Sequence, residues 1–254
     1  MSTSYPILEF DEEREAVIEP TNAIRHRDVP EHCVICYFPK TIEQARQELA
    51  LRPLRPVKCV MGEISVYSGS RDGQPFSILS GAVGAPLAVG CLEEIIARGG
   101  RKFIVCGSAG VLDRSVASGH IVVPTAALRD EGTSYHYLPP SREVEPTPEA
   151  VKAIIASLKE NGYRYVEGKT WTTDAFYRET RSKVKKRRQE GCITVEMEAA
   201  ALFAAARFRG VQLAQVLYGS DDVSGAEWDP REMGREKAAR EALFRLALNA
   251  CLRL

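Results

Sequence analysis

The sequence predicts a single three-layer α/β domain with a mixed central sheet. Strand-like and helix-like segments alternate through most of its 254 residues, and a hairpin signal lies early in the chain. No repeat, low-complexity tract or linker divides the chain, and 44% of its residues are apolar, which is enough for one large core. Residues 1–30, rich in proline and acidic side chains, are predicted to form an irregular arm. The domain is then expected to span residues 31–254.

The first half of that domain contains three elements. The apolar run 32–38, HCVICYF, is typical of a buried strand. Residues 56–81 predict two strands joined at Asp72-Gly73, a dipeptide that favours tight hairpin turns. Residues 85–100 predict a helix, because apolar side chains recur at intervals of four and two final glycines end the pattern.

The second half continues the alternation. Residues 101–110, RKFIVCGSAG, predict a short buried strand that ends in a loop of small residues. A helix is expected within residues 143–162, with Thr147 as its cap and Pro148 in its first turn. Further strands are expected at 120–128, 163–173, 192–197 and 211–222, and further helices at 198–210 and 230–254.

Composition excludes several classes of protein. Lysines and arginines, 34 in all, balance 34 aspartates and glutamates, so no net field attracts nucleic acid or an anionic membrane. No apolar run approaches the ~20 residues of a membrane span, and the N-terminus does not resemble a secretory signal. The seven scattered cysteines suit reduced thiols in a cytoplasmic protein. Cys33 and Cys36 form a C-x-x-C pair typical of metal or redox sites, but no second pair completes a zinc site, so no metal is predicted.

Three predicted strands end in small or acidic clusters. These are GSAG at 107–110, VEME at 195–198 and GSDD at 219–222. Because ligands of open α/β sheets bind outside the carboxyl ends of the strands, we expect the clusters to meet at one site. Small residues let backbone N–H groups approach a ligand, and carboxylates accept hydrogen bonds from hydroxyl groups. GSAG lacks the G-x-G-x-x-G spacing, so no dinucleotide cofactor is expected.

Five segments occur in the order found in one enzyme superfamily. They are GSAGVLD, SGHIVVPTAALRDEGTS, TTDAFYRET, VEMEAAALF and YGSDD. Together they resemble the nucleoside phosphorylase superfamily of uridine phosphorylases, purine nucleoside phosphorylases and methylthioadenosine nucleosidases, over roughly residues 31 to 252. The resemblance implies a nucleoside phosphorylase-like fold and a cytoplasmic homo-oligomer, either a dimer, a trimer or a hexamer. It also implies cleavage of the N-glycosidic bond of a purine or pyrimidine nucleoside.

The resemblance places the ribose at VEME. Glu198 matches the carboxylate that holds the 2′- and 3′-hydroxyls, Met197 matches the residue packed against the sugar, and Glu196 matches a glutamate beside it. Bond cleavage builds positive charge on the sugar, which a carboxylate stabilises. The alternative is structural, because acidic side chains near a helix start are stabilised by the helix dipole.

The resemblance places the base between TTDAFYRET and GSDD. Phe176 matches the aromatic residue that stacks on the base, and Arg178 is a further candidate for base binding. Asp221 matches the acid that protonates a purine, so Asp221 and Glu198 are the predicted catalytic residues. Adjacency to Ser220 is the ground for choosing Asp221 over Asp222, and purine versus pyrimidine stays open.

The acceptor site is where the chain departs from the family. Gly81, Gly107 and Ser108 are predicted to surround the phosphate or water that attacks the sugar. Family phosphorylases hold phosphate with three arginines, and none is matched here. The corresponding positions hold or adjoin Lys40, Gly62 and Val105.

Three hypotheses therefore remain open. The first is a nucleoside phosphorylase without a cofactor, using phosphate as co-substrate. The second is a phosphate-independent nucleosidase, favoured by the missing arginines because a dianion binds poorly without charge-assisted partners. The third is a non-catalytic nucleoside-binding protein on the same fold.

Overall fold

A ten-stranded mixed sheet forms the middle layer of the fold, in the order β11-β10-β8-β12-β7-β1-β6-β5-β2 with β9 beside β8. The computed structural model describes residues 5–117, 119–231 and 237–254. The strands are β1 His32–Cys36, β2 Arg52–Pro53, β3 Val57–Cys59, β4 Gly62–Ile64, β5 Val66–Arg71, β6 Gln74–Ser80, β7 Lys102–Val111, β8 Ile121–Asp130, β9 Glu143–Val144, β10 Tyr165–Thr173, β11 Cys192–Glu196 and β12 Gln212–Asp222. The helices are α1 Pro20–Ala23, α2 Pro39–Glu48, α3 Ala85–Arg98, α4 Pro148–Glu160, α5 Arg181–Gln189, α6 Ala199–Arg209 and α7 Lys237–Cys251.

Helices cover both faces of the sheet, which confirms the predicted three-layer α/β class. Helices α3 and α6 pack on one face around a core that includes Phe103 and Phe203. Helices α2, α4 and α7 pack on the other face around Ile104 and Phe244. Phe103 and Ile104 are neighbours on β7 and point to opposite sides, as the alternation of a strand requires. Among the described residues, no helix is both long and apolar enough to cross a bilayer.

Strand β7 continues beyond the point at which the sequence predicts a loop. GSAG was expected to be a loop, but Gly107, Ser108 and Ala109 continue the strand in parallel register with β12. Gly110 and Val111 then pair antiparallel with Val195 and Thr194 of β11. The loop prediction was wrong because this pairing partner lies some 85 residues away, beyond the reach of local pattern. The pairing lays GSAG directly against VEME.

Most other elements agree with the sequence. The hairpin at Asp72-Gly73 is confirmed, with φ of 52° and 81° at the two turn residues. The segment before it forms a separate two-stranded sheet of β3 and β4, which was not predicted. Thr147 occupies the N-cap position of α4, as predicted, but its side-chain oxygen accepts the Leu213 N–H at 3.0 Å rather than an N–H of the helix. The last helix is described from Lys237, and residues 232–236 of its predicted span lie outside the described residues.

The described part of the N-terminal arm packs against the domain through ion pairs. Glu19 lies 2.8 Å from the Arg209 guanidinium at the end of α6. Asp28 accepts two hydrogen bonds, at 2.9 and 3.0 Å, from the fully buried Arg98 at the end of α3. Within this segment, residues 20–23 form the short helix α1 and residues 6–8 form a 3-10 turn. The arm therefore contacts α3 and α6, the helices of one face of the sheet.

Candidate active site

A cavity of about 810 Å³ lies at the carboxyl ends of β7, β11 and β12. The strands contribute Ser108 and Gly110, Glu196 and Met197, and Ser220 and Asp221 to its wall. The three clusters therefore meet, as their positions at strand ends predict. Residues from the segment after β10, from the loop after β12 and from α7 complete the wall.

Glu196 lines the cavity, but its carboxylate is largely occupied by the protein. One oxygen accepts the backbone N–H groups of Glu198 and Ala199 at 2.7 and 2.6 Å, at the start of α6. The other accepts the Thr172 hydroxyl at 2.6 Å. Burial raises the pKa of Glu196 to about 7, although these three donors favour the charged form. Glu196 thus fixes the start of α6 and the position of Glu198.

Glu198 lies between the starts of α6 and α3. One of its carboxylate oxygens accepts the Gly84 N–H at 2.6 Å, and the residue is 6% exposed. It is not among the residues that line the cavity, whereas its neighbour Met197 is. Burial, with the facing Glu196 carboxylate, raises the pKa of Glu198 to about 8. We assign the negative charge of the pair to Glu196, because Glu196 accepts three hydrogen bonds.

This pair makes the stability of the protein depend on pH. Because folding raises the pKa of Glu198, the folded state binds more protons than the unfolded state from about pH 4.5 to 8. The free energy of unfolding should therefore fall as pH rises through that window, by about 1.4 kcal/mol per unit of pKa difference. The melting temperature should fall as the pH is raised from 5.5 to 8.5, and E198Q should make this fall smaller. An unchanged slope in E198Q would contradict the assignment of the raised pKa.

Asp221 faces the cavity beside GSAG. A β-carbon built on Gly110 would lie 3.6 Å from one Asp221 carboxylate oxygen, so the absence of a side chain there leaves the acid exposed to a ligand. The other oxygen accepts the Trp228 indole N–H at 2.7 Å. Asp222 instead accepts the Ser224 N–H at 2.8 Å and a hydrogen bond from Arg231 at 3.0 Å. The geometry thus favours Asp221 over Asp222 as the group that meets a ligand.

The segment after β10 gives the cavity an aromatic wall. Phe176 and Tyr177 both line it, and their ring centroids lie 4.1 Å apart. Phe176 is 51% exposed, so its ring is available for stacking. Arg178 is exposed and does not line the cavity, whereas its neighbour Glu179 does. The structure thus brings Phe176 and Asp221 together but not Arg178.

The three predicted acceptor-site residues have different surroundings. Ser108 is exposed in the cavity. Gly107 is buried, and a β-carbon on it would lie 3.5 Å from the Tyr37 ring. Gly81 donates its N–H to the Cys36 carbonyl at 2.8 Å and lies under the same ring. Of the three, only Ser108 directly lines the space in which an acceptor would lie.

The contact between Gly81 and Tyr37 predicts a stability effect. A β-carbon on Gly81 would lie 2.6 Å from the Tyr37 ring, so G81A should lower the free energy of unfolding by about 1–3 kcal/mol through overpacking. Gly90 is the matched control, because a β-carbon there meets nothing within 4 Å. G90A should be neutral or stabilising by up to about 1 kcal/mol in its helix. Urea unfolding of both variants checks this, and a G81A midpoint equal to wild type would contradict the contact.

The positions at which family phosphorylases carry phosphate-binding arginines place no cation in the cavity wall here. Val105 is fully buried in the sheet, and Lys40 is exposed on α2 without lining the cavity. Arg240 of α7 is the one cationic residue among the described residues of the cavity wall. Its guanidinium donates to the Tyr218 hydroxyl at 2.9 Å and lies 5.5 Å from the Phe38 ring centroid.

Comparison with known proteins identifies the family. Residues 31–253 match the sequence profile of the phosphorylase superfamily. The chain belongs to this superfamily. A guanosine phosphorylase from Halorubrum lacusprofundi is 29% identical over 193 residues, covering 74% of this chain and 80% of the relative. A uridine phosphorylase from Thermococcus kodakarensis is 31% identical over 163 residues, covering 59% of each chain.

A solved structure supports the phosphorylase superfamily fold. The purine nucleoside phosphorylase from Toxoplasma gondii superimposes with a TM-score of 0.79, covering 94% of this chain and 97% of that one. The two chains are 22% identical, so the superposition supports only the assignment of the fold. The resemblance and the fold inferred from sequence are therefore confirmed.

Several residues of this superfamily member's site were not predicted from its sequence. Thr172 and Gly84 hold the two glutamates, and Glu179, Trp228 and Arg240 line the cavity or contact Asp221. Thr172 and Glu179 had a detectable signal, because both lie within the TTDAFYRET segment. The other three, Gly84, Trp228 and Arg240, lie outside the five motif segments, so spacing carries no signal for them.

Proposed function

We propose that this protein cleaves the N-glycosidic bond of a nucleoside by phosphorolysis, giving a free base and ribose 1-phosphate. One observation carries the proposal. The Asp221 carboxylate lies over Gly110 in the same cavity as Met197 and the stacking surface of Phe176. An acid, an aromatic face and the sugar-side motif thus converge at one site. Relatives named as guanosine and uridine phosphorylases support the same reaction class.

Each group has a role in this reaction. Phe176 stacks on the base, and Asp221 donates a proton to a purine as it leaves. Glu198, next to the cavity-lining Met197, holds the ribose hydroxyls and, in its ionised form, stabilises the positive charge that develops on the sugar. Glu196 is a positioning residue, since its hydrogen bonds fix the backbone at Glu198. Ser108 contacts the attacking group.

A second candidate function is hydrolysis, with water as the acceptor. The buried Val105 in place of an arginine favours it, because a phosphate dianion needs charge-assisted donors. Arg240, a cation in the cavity wall, favours phosphate instead. The two reactions are distinguished by their products and their dependence on phosphate.

The test incubates the purified protein with guanosine, inosine, adenosine, uridine and cytidine, with and without inorganic phosphate. Phosphate-dependent release of base with an equal amount of ribose 1-phosphate is the expected result. Release of base and free ribose at the same rate without phosphate would replace the phosphorylase with a nucleosidase. The cytoplasmic location and the homo-oligomeric state remain proposals, and gel filtration with light scattering measures the latter.

A further inference from the structure

One loop of the N-terminal arm is held in place at both ends. At its start, Arg14 donates a hydrogen bond to the Phe208 carbonyl, and its guanidinium carbon lies 4.5 Å from the Phe208 ring centroid. At its end, Glu19 pairs with Arg209 at 2.8 Å. The Ala16 N–H donates to the Glu19 carboxylate at 3.2 Å and closes the loop. The loop therefore has a fixed position at the end of α6.

This part of the arm presents apolar and acidic side chains to solvent. Val17 and Ile18 lie between the two anchors and are 106% and 79% exposed. Five exposed carboxylates precede them, at Glu9, Asp11, Glu12, Glu13 and Glu15. Within residues 5–117, 119–231 and 237–254, none of these carboxylates forms an ion pair. Single exposed apolar residues are common, but an adjacent pair on an anchored loop indicates a contact surface.

Helix α5 carries the opposite charge. It contains six cationic residues, Arg181, Lys183, Lys185, Lys186, Arg187 and Arg188. Lys183 and Arg187 lie on its inner face and pair with Asp130 at 3.4 and 3.1 Å. Arg181, Lys185 and Arg188 recur at i, i+4 and i+7, so they share an outer face, and all three are exposed. No carboxylate among the described residues forms an ion pair with these three.

A groove of about 400 Å³ adjoins this outer face where α5 turns into β11. Lys185 and Arg188 contribute charge to its wall, and Cys192 and Ile193 contribute apolar surface. Asp113 is the carboxylate of the wall, so the two cations still exceed it in charge. The groove thus combines positive charge with apolar surface, which matches the acidic and apolar character of the arm.

We propose that residues 9–18 of the arm bind the outer face of α5 and the adjoining groove on a second copy of the chain. In this contact Val17 and Ile18 enter the groove beside Ile193. The carboxylates that precede them along the arm then pair with the cations of the outer face.

The lengths of the two charged surfaces agree. Residues 9–16 of the arm contain neither helix nor strand. In extended form, the stretch from Glu12 to Glu15 spans about 10 Å. The seven-residue step from Arg181 to Arg188 spans about 10 Å along the helix axis. Three carboxylates of the arm can therefore face three cations of the helix.

The charges favour a second copy of the chain over a nucleic acid. The chain as a whole is neutral, with 34 cationic and 34 acidic residues, and two copies satisfy both charged surfaces at once. A nucleic acid would pair with α5 but leave the acidic arm unpaired. Because each chain has one arm and one α5, the contact is reciprocal, and a two-fold pair closes it. The inference rests on the homo-oligomer proposed above and is independent of the reaction.

Charge reversal on each surface tests the contact, with mass measured by analytical ultracentrifugation at about 50 and about 500 mM salt. E12K/E13K/E15K reverses the arm, and R181E/K185E/R188E reverses the helix. Each should weaken association about 100-fold, whereas high salt should weaken that of wild type about tenfold. V17S/I18S should weaken it about tenfold at both salt concentrations. The control K152E/K159E/R164E, which reverses three exposed cations on and after α4, should behave like wild type.

Mixing the two reversed variants gives the sharpest result. The arm-reversed chain is positive on both surfaces and the helix-reversed chain is negative on both, so neither should pair with itself. Their mixture should form a pair with nearly wild-type affinity, because each arm then meets a helix of opposite charge. An oligomer that either reversal leaves intact, or a mixture that does not pair, would refute this interface while leaving the homo-oligomer in place. A wild type that stays monomeric would refute both, and RNA binding that only the helix reversal abolishes would assign α5 to a nucleic acid.

Discussion

Replacing Glu198 with glutamine should lower kcat/KM for a ribonucleoside by roughly 10²–10³-fold. The amide keeps an oxygen that can accept the Gly84 N–H, so the start of α3 stays in place. The amide cannot ionise, so it cannot supply the negative charge that the ionised form of Glu198 brings to the developing sugar cation, and it offers only one acceptor to two ribose hydroxyls. Steady-state kinetics with a ribonucleoside measure the loss.

The same substitution should not destabilise the protein. Because Glu198 is buried beside Glu196 and its pKa is raised, a neutral amide removes a charge that burial disfavours. E198Q should therefore melt at or above the temperature of wild type at pH 8 while being nearly inactive. Activity within threefold of wild type would show that the ribose site lies elsewhere.

Replacing Asp221 with asparagine should lower kcat/KM for purine nucleosides by roughly 10²–10⁴-fold, because the leaving base loses its proton donor. The amide oxygen can still accept the Trp228 indole N–H, so the loop after β12 should keep its position. A nucleoside methylated on N7, whose base already carries positive charge, needs no donor and should be cleaved about equally by both proteins. An equal loss on the methylated substrate would contradict the role of Asp221 as the acid.

The neighbouring Asp222 provides a matched control for that experiment. Asp222 is 7% exposed and pairs with Arg231, and although burial opposes ionisation, hydrogen bonds from Ser224 and the pairing with Arg231 keep its pKa below the ordinary value. D222N should therefore lower the melting temperature through loss of the ion pair while retaining most activity at low temperature. D221N should therefore lose mainly activity, whereas D222N should lose mainly stability.

The layers of the fold could be predicted because they depend on local pattern. Apolar runs and period-four stripes mark the strands and helices, and turn residues such as Asp72-Gly73 mark their ends. The observed helices agree with these patterns because each helix buries its apolar stripe against the sheet. The convergence of GSAG and GSDD followed from the same reasoning, since the parallel strands β7 and β12 deliver their carboxyl ends to one edge. VEME joins them through the antiparallel pairing of the end of β11 with the end of β7, which local pattern does not show.

The surroundings of the site could not be predicted in the same way. The partners of Glu196 depend on the register that places Thr172 opposite it on β10, and register is set by tertiary packing. Glu179 lies within TTDAFYRET, but its place in the cavity wall depends on the turn Phe176–Arg178, and Arg240 reaches the cavity from the last helix with no fixed spacing to any motif. Thr147 occupies the N-cap position of α4, yet its side-chain oxygen accepts an N–H group from β12 rather than from the helix.

Glu196 shows how two interpretations of one motif can hold together. As an acidic residue before a helix, it bonds the first N–H groups of α6, as helix-start chemistry predicts. Those same bonds fix the backbone of Glu198, the residue assigned to the sugar. The structural role of the first glutamate therefore supports the catalytic role proposed for the second.

Release of free base from guanosine is the measurement that tests the proposed reaction most directly. The purified protein, guanosine and inorganic phosphate are incubated, and the products are separated by chromatography, with E198Q in parallel. We expect guanine and ribose 1-phosphate in equal amounts from wild type, rising with time and protein concentration, and almost none from E198Q. Binding of nucleosides without release of any base from guanosine, inosine, adenosine, uridine or cytidine would contradict the catalytic function.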